Sequence, residues 1–184
     1  MLGFEDEVWW SRLAQPRLST WADEEEQMRL QQHAPDRRDK EPKALACYGL
    51  LRTDTNAMLL RFVEERPLSS VTTQFLAWCA ECLAAEGKRV LVLVWDNAAW
   101  HVSREVRTWI KAHNQLVKAD GGVRILVCRL PSRSPWLNPI EPKWVHGKRQ
   151  VCEPDRKLSA SELKQRICDY YGCSLLDPLA KQVA

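Results

Sequence analysis

No run of apolar residues in this 184-residue chain approaches the ~18 that a membrane span requires. The opening MLGFEDEVWW also lacks the basic stretch and apolar core of a signal peptide. These two absences exclude a membrane helix and make the cytoplasm the expected compartment. Internal repeats and low-complexity tracts are missing too. The formal charge of +3 is too small to announce a nucleic-acid binder, so any electrostatic argument rests on local distribution. Cysteine is present, but paired spacing is not. Seven cysteines without a disulfide-framework pattern imply reduced thiols in a reducing compartment. Cys79-Ala-Glu-Cys82, preceded by Trp78, superficially resembles a thioredoxin-type redox motif. However, Val71, Phe75, Trp78, Cys79, Cys82 and Leu83 repeat at helical spacing, which puts both thiols in mid-helix on a buried stripe. A thiol oxidoreductase would need at least one of them exposed at a helix start.

With 45% hydrophobic residues, the chain is long enough for one domain with a real core. Leu2 to Trp10 reads as a strand, with Phe4, Asp6 and Val8 on one face and Glu5 and Glu7 on the other. Asp23 to Glu41 is dense in charge and contains Pro35, so a solvated excursion is expected there. Ala44 to Arg52 and Met58 to Glu64 read as a hairpin around the turn-prone Thr53-Asp54-Thr55-Asn56. After Pro67, Ser69 or Ser70 is expected to cap a helix that stops at Gly87. Val90 to Trp95 is too short for a helix and too continuously apolar for a half-exposed strand, which places it inside a sheet and ends it at Asp96. Ser103 begins another helix, and Val123 to Cys128 reads as a further buried strand after Gly121-Gly122. Strands first, then alternating helix and strand, predict an α/β fold: a mixed sheet, antiparallel at its start and parallel later, flanked by helices.

In open α/β sheets, sites collect at the carboxyl ends of the parallel strands, which is where Asp96 falls. Taken alone, Asp96-Asn97 is equally a turn dipeptide. Glu141 sits in LPSRSPWLNPIEPKW. There Asn138-Pro139-Ile140-Glu141 has the form of a helix cap, and Glu141 taken alone reads as a capping-box partner. Pro139 and Pro142 straddle the acid and leave its backbone little freedom, which suits a ligand. Hard divalent cations need oxygen ligands, and two-metal phosphoryl chemistry needs carboxylates shared between ions. Asp6, inward-facing on the first strand, is the natural third. Between Arg124 and Arg149, six Arg and Lys residues accompany a single acid, Glu141, as expected where a carboxylate site tolerates a polyanion. A solvated basic face is the competing reading.

The set FEDEVWW, VWDNAAWH and LPSRSPWLNPIEPKWVHGKR resembles the DDE transposases of the mariner-like superfamily, in particular the bacterial insertion-sequence branch. The resemblance covers Gly3 to Arg149 and extends into a helical tail. It implies a ribonuclease-H-like fold, with residues 1–150 as the catalytic domain and residues 151–184 as a C-terminal helical tail on or extending it. It further implies that Asp6, Asp96 and Glu141 are the catalytic acids, binding two Mg2+ ions for which Mn2+ can substitute. The implied activity is DNA strand cleavage and strand transfer in transposition, with transposon-end and target DNA as partners, a homodimer in the synaptic complex, no membrane, and a nucleoid-associated location. Asn97 and His101 are accessory candidates, and Arg133, Lys143, Lys148 and Arg149 are candidate phosphate contacts. Trp136 or Trp144 could stack on an unpaired base, although core or surface packing is the ordinary role of each. Members of the family carry an N-terminal helix-turn-helix that recognises element ends, whereas this sequence starts at the first catalytic strand. The competing class is therefore a catalytically incompetent truncated transposase that only binds DNA or full-length transposase. Forty-four residues separate Asp96 from Glu141. That is about one loop more than the family commonly has, and the excess is expected in Asn114 to Gly122.

Overall fold

The computed structural model describes residues 1–13, 38–132, 134–152 and 156–181. Most of the expected charged excursion over Asp23–Glu41, and all of Arg133, lie outside the described residues. The element order is β1 (Leu2–Ser11), β2 (Ala44–Arg52), β3 (Met58–Val63), α1 (Ser69–Ala85), β4 (Val90–Trp95), α2 (Arg104–Asp120), β5 (Arg124–Arg129), a 3-10 turn at Pro135–Leu137, α3 (Ile140–Val151) and α4 (Ala160–Tyr171).

The five strands form one sheet in the order β3-β2-β1-β4-β5. The β3-β2-β1 part is antiparallel, and β4 and β5 join parallel to β1. This is the mixed sheet that the order of elements predicts. Its two faces carry separate cores. On one, Tyr48, Leu50, Leu91, Leu93 and Trp95 meet Phe75, Leu76 and Leu83 of α1. On the other, Val8, Trp10, Cys47, Leu60 and Phe62 meet Trp144 of α3 and Leu163 and Ile167 of α4. β2 is buried on both sides, because alternate residues such as Cys47 and Tyr48 enter opposite cores. Each fully buried leucine or phenylalanine contributes ~1.5–3 kcal/mol relative to exposure.

Three local expectations change. Neither Ser69 nor Ser70 caps α1: Leu68 occupies the cap position and no side-chain cap bond forms. The C-terminal stop is as expected, with Gly87 at φ +75, Gly87 N–H donating to Ala84 O and Lys88 N–H to Leu83 O, a Schellman closure. The strand after Gly121-Gly122 is an edge strand. Ile125 is buried, but Leu126 and Val127 are 42% and 38% exposed and Cys128 is exposed, because β5 is the last strand of the sheet and has a neighbour on one edge only among the described residues. Finally, Asn114 to Asp120 form no loop. They are the last turns of α2, held to β5 by Asn114, whose side chain bonds Ile125 N and O at 2.8 Å. Ser103 caps α2 as expected, accepting from Val106 N–H.

The residues after α4 run along the outer edge of β3, where Leu179 N–H donates to Phe62 O at 2.7 Å and Glu64 N–H to Leu179 O at 2.9 Å. Among the described residues, no helix is long and apolar enough to cross a membrane. Cys79 is fully buried in mid-α1 and Cys82 partly so. Burial pushes both thiols above the ordinary range, as core packing requires.

Candidate active site

The parallel register Leu2↔Val92, Gly3↔Leu93, Phe4↔Val94, continued by two residues, sets Asp6 level with Asp96 on the neighbouring strand. Equal parity aims both at the face covered by α3. Glu141, in the first turn of α3, reaches the same place from above the sheet. Asp6, Asp96 and Glu141 thus line one cleft of about 310 Å³, together with Asn97, Ala98, Leu130, Pro131, Ser132, Ser134 and Asn138.

Each strand carboxylate is held by one oxygen. Asp96 Oδ1 accepts from Ala98 N–H and from His101 Nδ1, both at 2.8 Å, and the His101 bond holds its carboxyl below the ordinary range. Asp6 Oδ2 accepts from Trp144 Nε1 at 3.1 Å. Burial, then the charges of Glu141, Glu5 and Glu7, push Asp6 up to about 8. Such a carboxylate calls for a nearby cation. Trp144 can lie over Asp6 because Gly49, its cross-strand partner on β2, has no side chain: a Cβ there would collide with the Trp144 ring. Glu141 is not in a capping box. Pro139 occupies the cap position, no side-chain cap bond forms, and the acid is turned to the cleft.

His101 is more than accessory. It is buried and stacked on Trp95 with centroids 4.4 Å apart. Nδ1 faces Asp96, while Nε2 lies 3.1 Å from Glu5 Oε2 and 3.0 Å from Glu7 Oε1. With carboxylates at both nitrogens, both carry protons. Burial alone would lower its pKa, but Glu5 first, then the bonds to Asp96, Glu5 and Glu7, lift it to about 12. Glu5 is fully buried, and burial raises it to about 7 against the pull of His101. Glu7 also accepts from Trp100 Nε1 at 2.5 Å. The donor atoms of Glu5, Glu7 and His101 lie within 4.8 Å of one another, close enough for one cation to bridge, and the imidazolium supplies that cation. The sequence pattern gives Glu5 and Glu7 no role beside Asp6 except as the alternative first acid. The period-2 alternation of β1 put them on one face, but nothing local showed that this face is buried beneath the 96–103 segment.

Asn97 lines the cleft and donates through Nδ2 to Leu130 O at 2.8 Å, tying the loop after β4 to the loop after β5. Helical periodicity sets Lys148 two turns from Glu141 on the same stripe of α3, with Arg149 beside it and Lys143 on the opposite flank. Trp144 is buried, so it cannot stack on a base, whereas Trp136 in the 3-10 turn is 76% exposed.

A five-stranded mixed sheet carrying three acids at its strand ends and α3 defines a ribonuclease-H-like domain. The family model described as DDE superfamily endonuclease matches residues 4–164, and the chain belongs to that family. Among solved structures, the Mos1 transposase paired-end complex with left transposon end is similar at TM-score 0.68 and 17% identity, covering 94% of this chain and 48% of that one. The Mos1 mariner paired-end complex with Mn is similar at TM-score 0.65 and 16% identity, covering 94% and 48%. The crystal structure of the catalytic domain of Mos1 mariner transposase is similar at TM-score 0.59 and 14% identity, covering 94% and 70%. The chain therefore spans about half the length of the paired-end transposase chains it matches. No curated protein matches its sequence.

Proposed function

We propose that this chain is a transposase catalytic domain that cleaves DNA strands and transfers them in DNA transposition, with Asp6, Asp96 and Glu141 holding two divalent ions, Mg2+ or Mn2+. The observation that carries this reading is the convergence of the three acids, drawn from two strands and a helix, on one cleft. The donor set fits such ions: every charged donor is a carboxylate, and the burial of Asp6 among other acids demands a counter-charge. Two similar structures, the Mos1 mariner paired-end complexes with Mn and with Mg, support the reading of divalent ions.

When bound, the ions would lower the pKa of an attacking water or DNA 3′-hydroxyl and stabilise the leaving oxygen. The chain's own contribution is positioning. Ala98 N–H and His101 fix Asp96 Oδ1, Trp144 fixes Asp6 Oδ2, and each carboxylate keeps one oxygen bonded to no described residue. Pro139 and Pro142 set the backbone that delivers Glu141. Lys143, Lys148 and Arg149, with Arg133, are the proposed phosphate contacts, and Trp136 is the aromatic available to a base. Transposon-end and target DNA are the proposed partners, within a homodimeric synaptic complex and a nucleoid-associated setting. Residues 151–184 act as a tail on the 1–150 catalytic domain.

The test is strand nicking of DNA carrying the element ends, with Mg2+ or Mn2+, by the intact chain and by Asp96→Ala. Metal-dependent nicking by the intact chain alone is expected. Equal nicking by both would overturn the catalytic assignment, and DNA retention without any nicking would favour a binding-only protein.

A further inference from the structure

Asn138 occupies an unusual position for an amide. It is 3% exposed, lines the same cleft as Asp6, Asp96 and Glu141, and its Oδ1 is buried without a hydrogen-bond partner among the described residues. The sequence offers it an ordinary task as the side-chain cap of α3. That task is not performed, because Pro139 takes the cap position and Asn138 contributes only its main-chain carbonyl, which accepts Glu141 N–H at 3.1 Å. An orphaned buried carbonyl is destabilising, because it has lost its water and gained no donor in exchange. Such groups persist where a ligand satisfies them.

The neighbours narrow the ligand. The cleft already gathers three carboxylates, and an amide oxygen beside them would repel a bare anion. It suits a hard cation, which accepts neutral carbonyl oxygens alongside carboxylates. A neutral donor also completes an oxygen shell without adding a fourth negative charge to carboxylates that already repel one another. Pro139, with φ near −64, and the 3-10 turn before Asn138 set the main chain that carries the amide.

We propose that Asn138 Oδ1 is a fourth, uncharged oxygen donor of the metal site, bonded to a cation or to a water that the cation carries. This rests on the three-acid reading above. The test is Mn2+ binding to the whole metal-free chain without DNA, by calorimetry, for the parent, Asn138→Ala, Asn138→Asp and Asp96→Ala, with thermal unfolding of each. Asn138→Ala is expected to weaken Mn2+ binding by about 10-fold or more, while unfolding of the metal-free protein stays unchanged or rises, since an orphan is removed. Asn138→Asp, which keeps Oδ1, is expected to bind Mn2+ at least as tightly as the parent. Mn2+ binding lost in Asp96→Ala but intact in Asn138→Ala overturns the Asn138 role alone. So does weaker binding in Asn138→Asp than in Asn138→Ala, which would make Nδ2 the working atom, and so does a fall of several degrees in metal-free Asn138→Ala. Binding intact in both Asp96→Ala and Asn138→Ala overturns the three-acid site and the fourth donor with it.

Discussion

Trp144 and His101 are the two side chains that turn acids on strands into a site. The Trp144 indole N–H is bonded to Asp6, and a hydrogen bond to a charged group is worth about 1.5–3 kcal/mol. Trp144→Phe keeps an aromatic ring against Trp10 and Tyr171 but removes that donor. Nicking is expected to slow by about 10-fold, with unfolding in urea shifted by no more than ~3 kcal/mol. An unchanged rate would show that Asp6 needs no such anchor. His101 carries a larger structural load, since its imidazolium is the cation beside fully buried Glu5. His101→Ala leaves that carboxyl without a counter-ion and is expected to cost about 3–5 kcal/mol of unfolding free energy, measured by urea titration. His101 was legible as part of the VWDNAAWH phrase. Its three carboxylate partners were not, because two of them arrive from a strand more than ninety residues earlier.

At the scale of elements, β2 shapes the site without contributing a side chain to it. Gly49 faces Asp6 across the ladder, and the Trp144 ring fills the space where a Cβ would stand. Gly49→Ala is expected to destabilise by about 1–3 kcal/mol through overpacking. It should also slow nicking as Trp144→Phe does, and the double variant should be no slower than the worse single one, since both act through one bond. Additive losses in the rate would separate the two effects. Glycine in a strand signals a close approach, but which ring approaches is decided by α3, far along the chain. The extra residues between Asp96 and Glu141 teach a similar lesson. Asn114 to Asp120 carry polar residues that read as a loop, yet Asn114 pairs with the main chain of Ile125 and keeps α2 helical to Asp120.

At the scale of the molecule, two ionic clamps join distant segments. Arg12, buried at the end of β1, donates to Asp39, Glu41, Pro42 O and Leu158 O, so one guanidinium ties β1 to the segment before β2 and to the approach to α4. Arg52 pairs with Asp54 and Glu86, and Lys88 adds to Asp54. Asp39, bonded first by Lys157, and Asp54 and Glu86, bonded first by Arg52, are held below the ordinary carboxylate range. An acid whose folded pKa is depressed contributes stability above its unfolded value of about 4, and that contribution is lost as pH falls further. Thermal unfolding temperature is therefore expected to drop as pH falls below about 4, and Asp54→Asn should flatten that drop. A parallel decline in the variant would remove Asp54 from the account. Arg12→Ala is expected to cost about 3–5 kcal/mol, because it strands buried carbonyls and its acidic partners together.

Read by itself, the sequence determined the element types, the mixed sheet, and the two phrases around Asp96 and Glu141, because periodicity, turn residues and proline placement act over a few neighbours. It also put Asp6 on the face of β1 that carries Phe4 and Val8, since a strand's alternation is local. Only the tertiary structure decided that the opposite face, with Glu5 and Glu7, is buried against His101, that β5 is an exposed edge, and that Trp144 reaches Asp6 over a glycine. It alone left the Oδ1 of Asn138, a residue lining the cleft, buried without a partner among the described residues. Burial and partnership depend on which elements stack on which face, and that is set by packing between segments up to 146 residues apart, a separation at which no pattern along the chain survives.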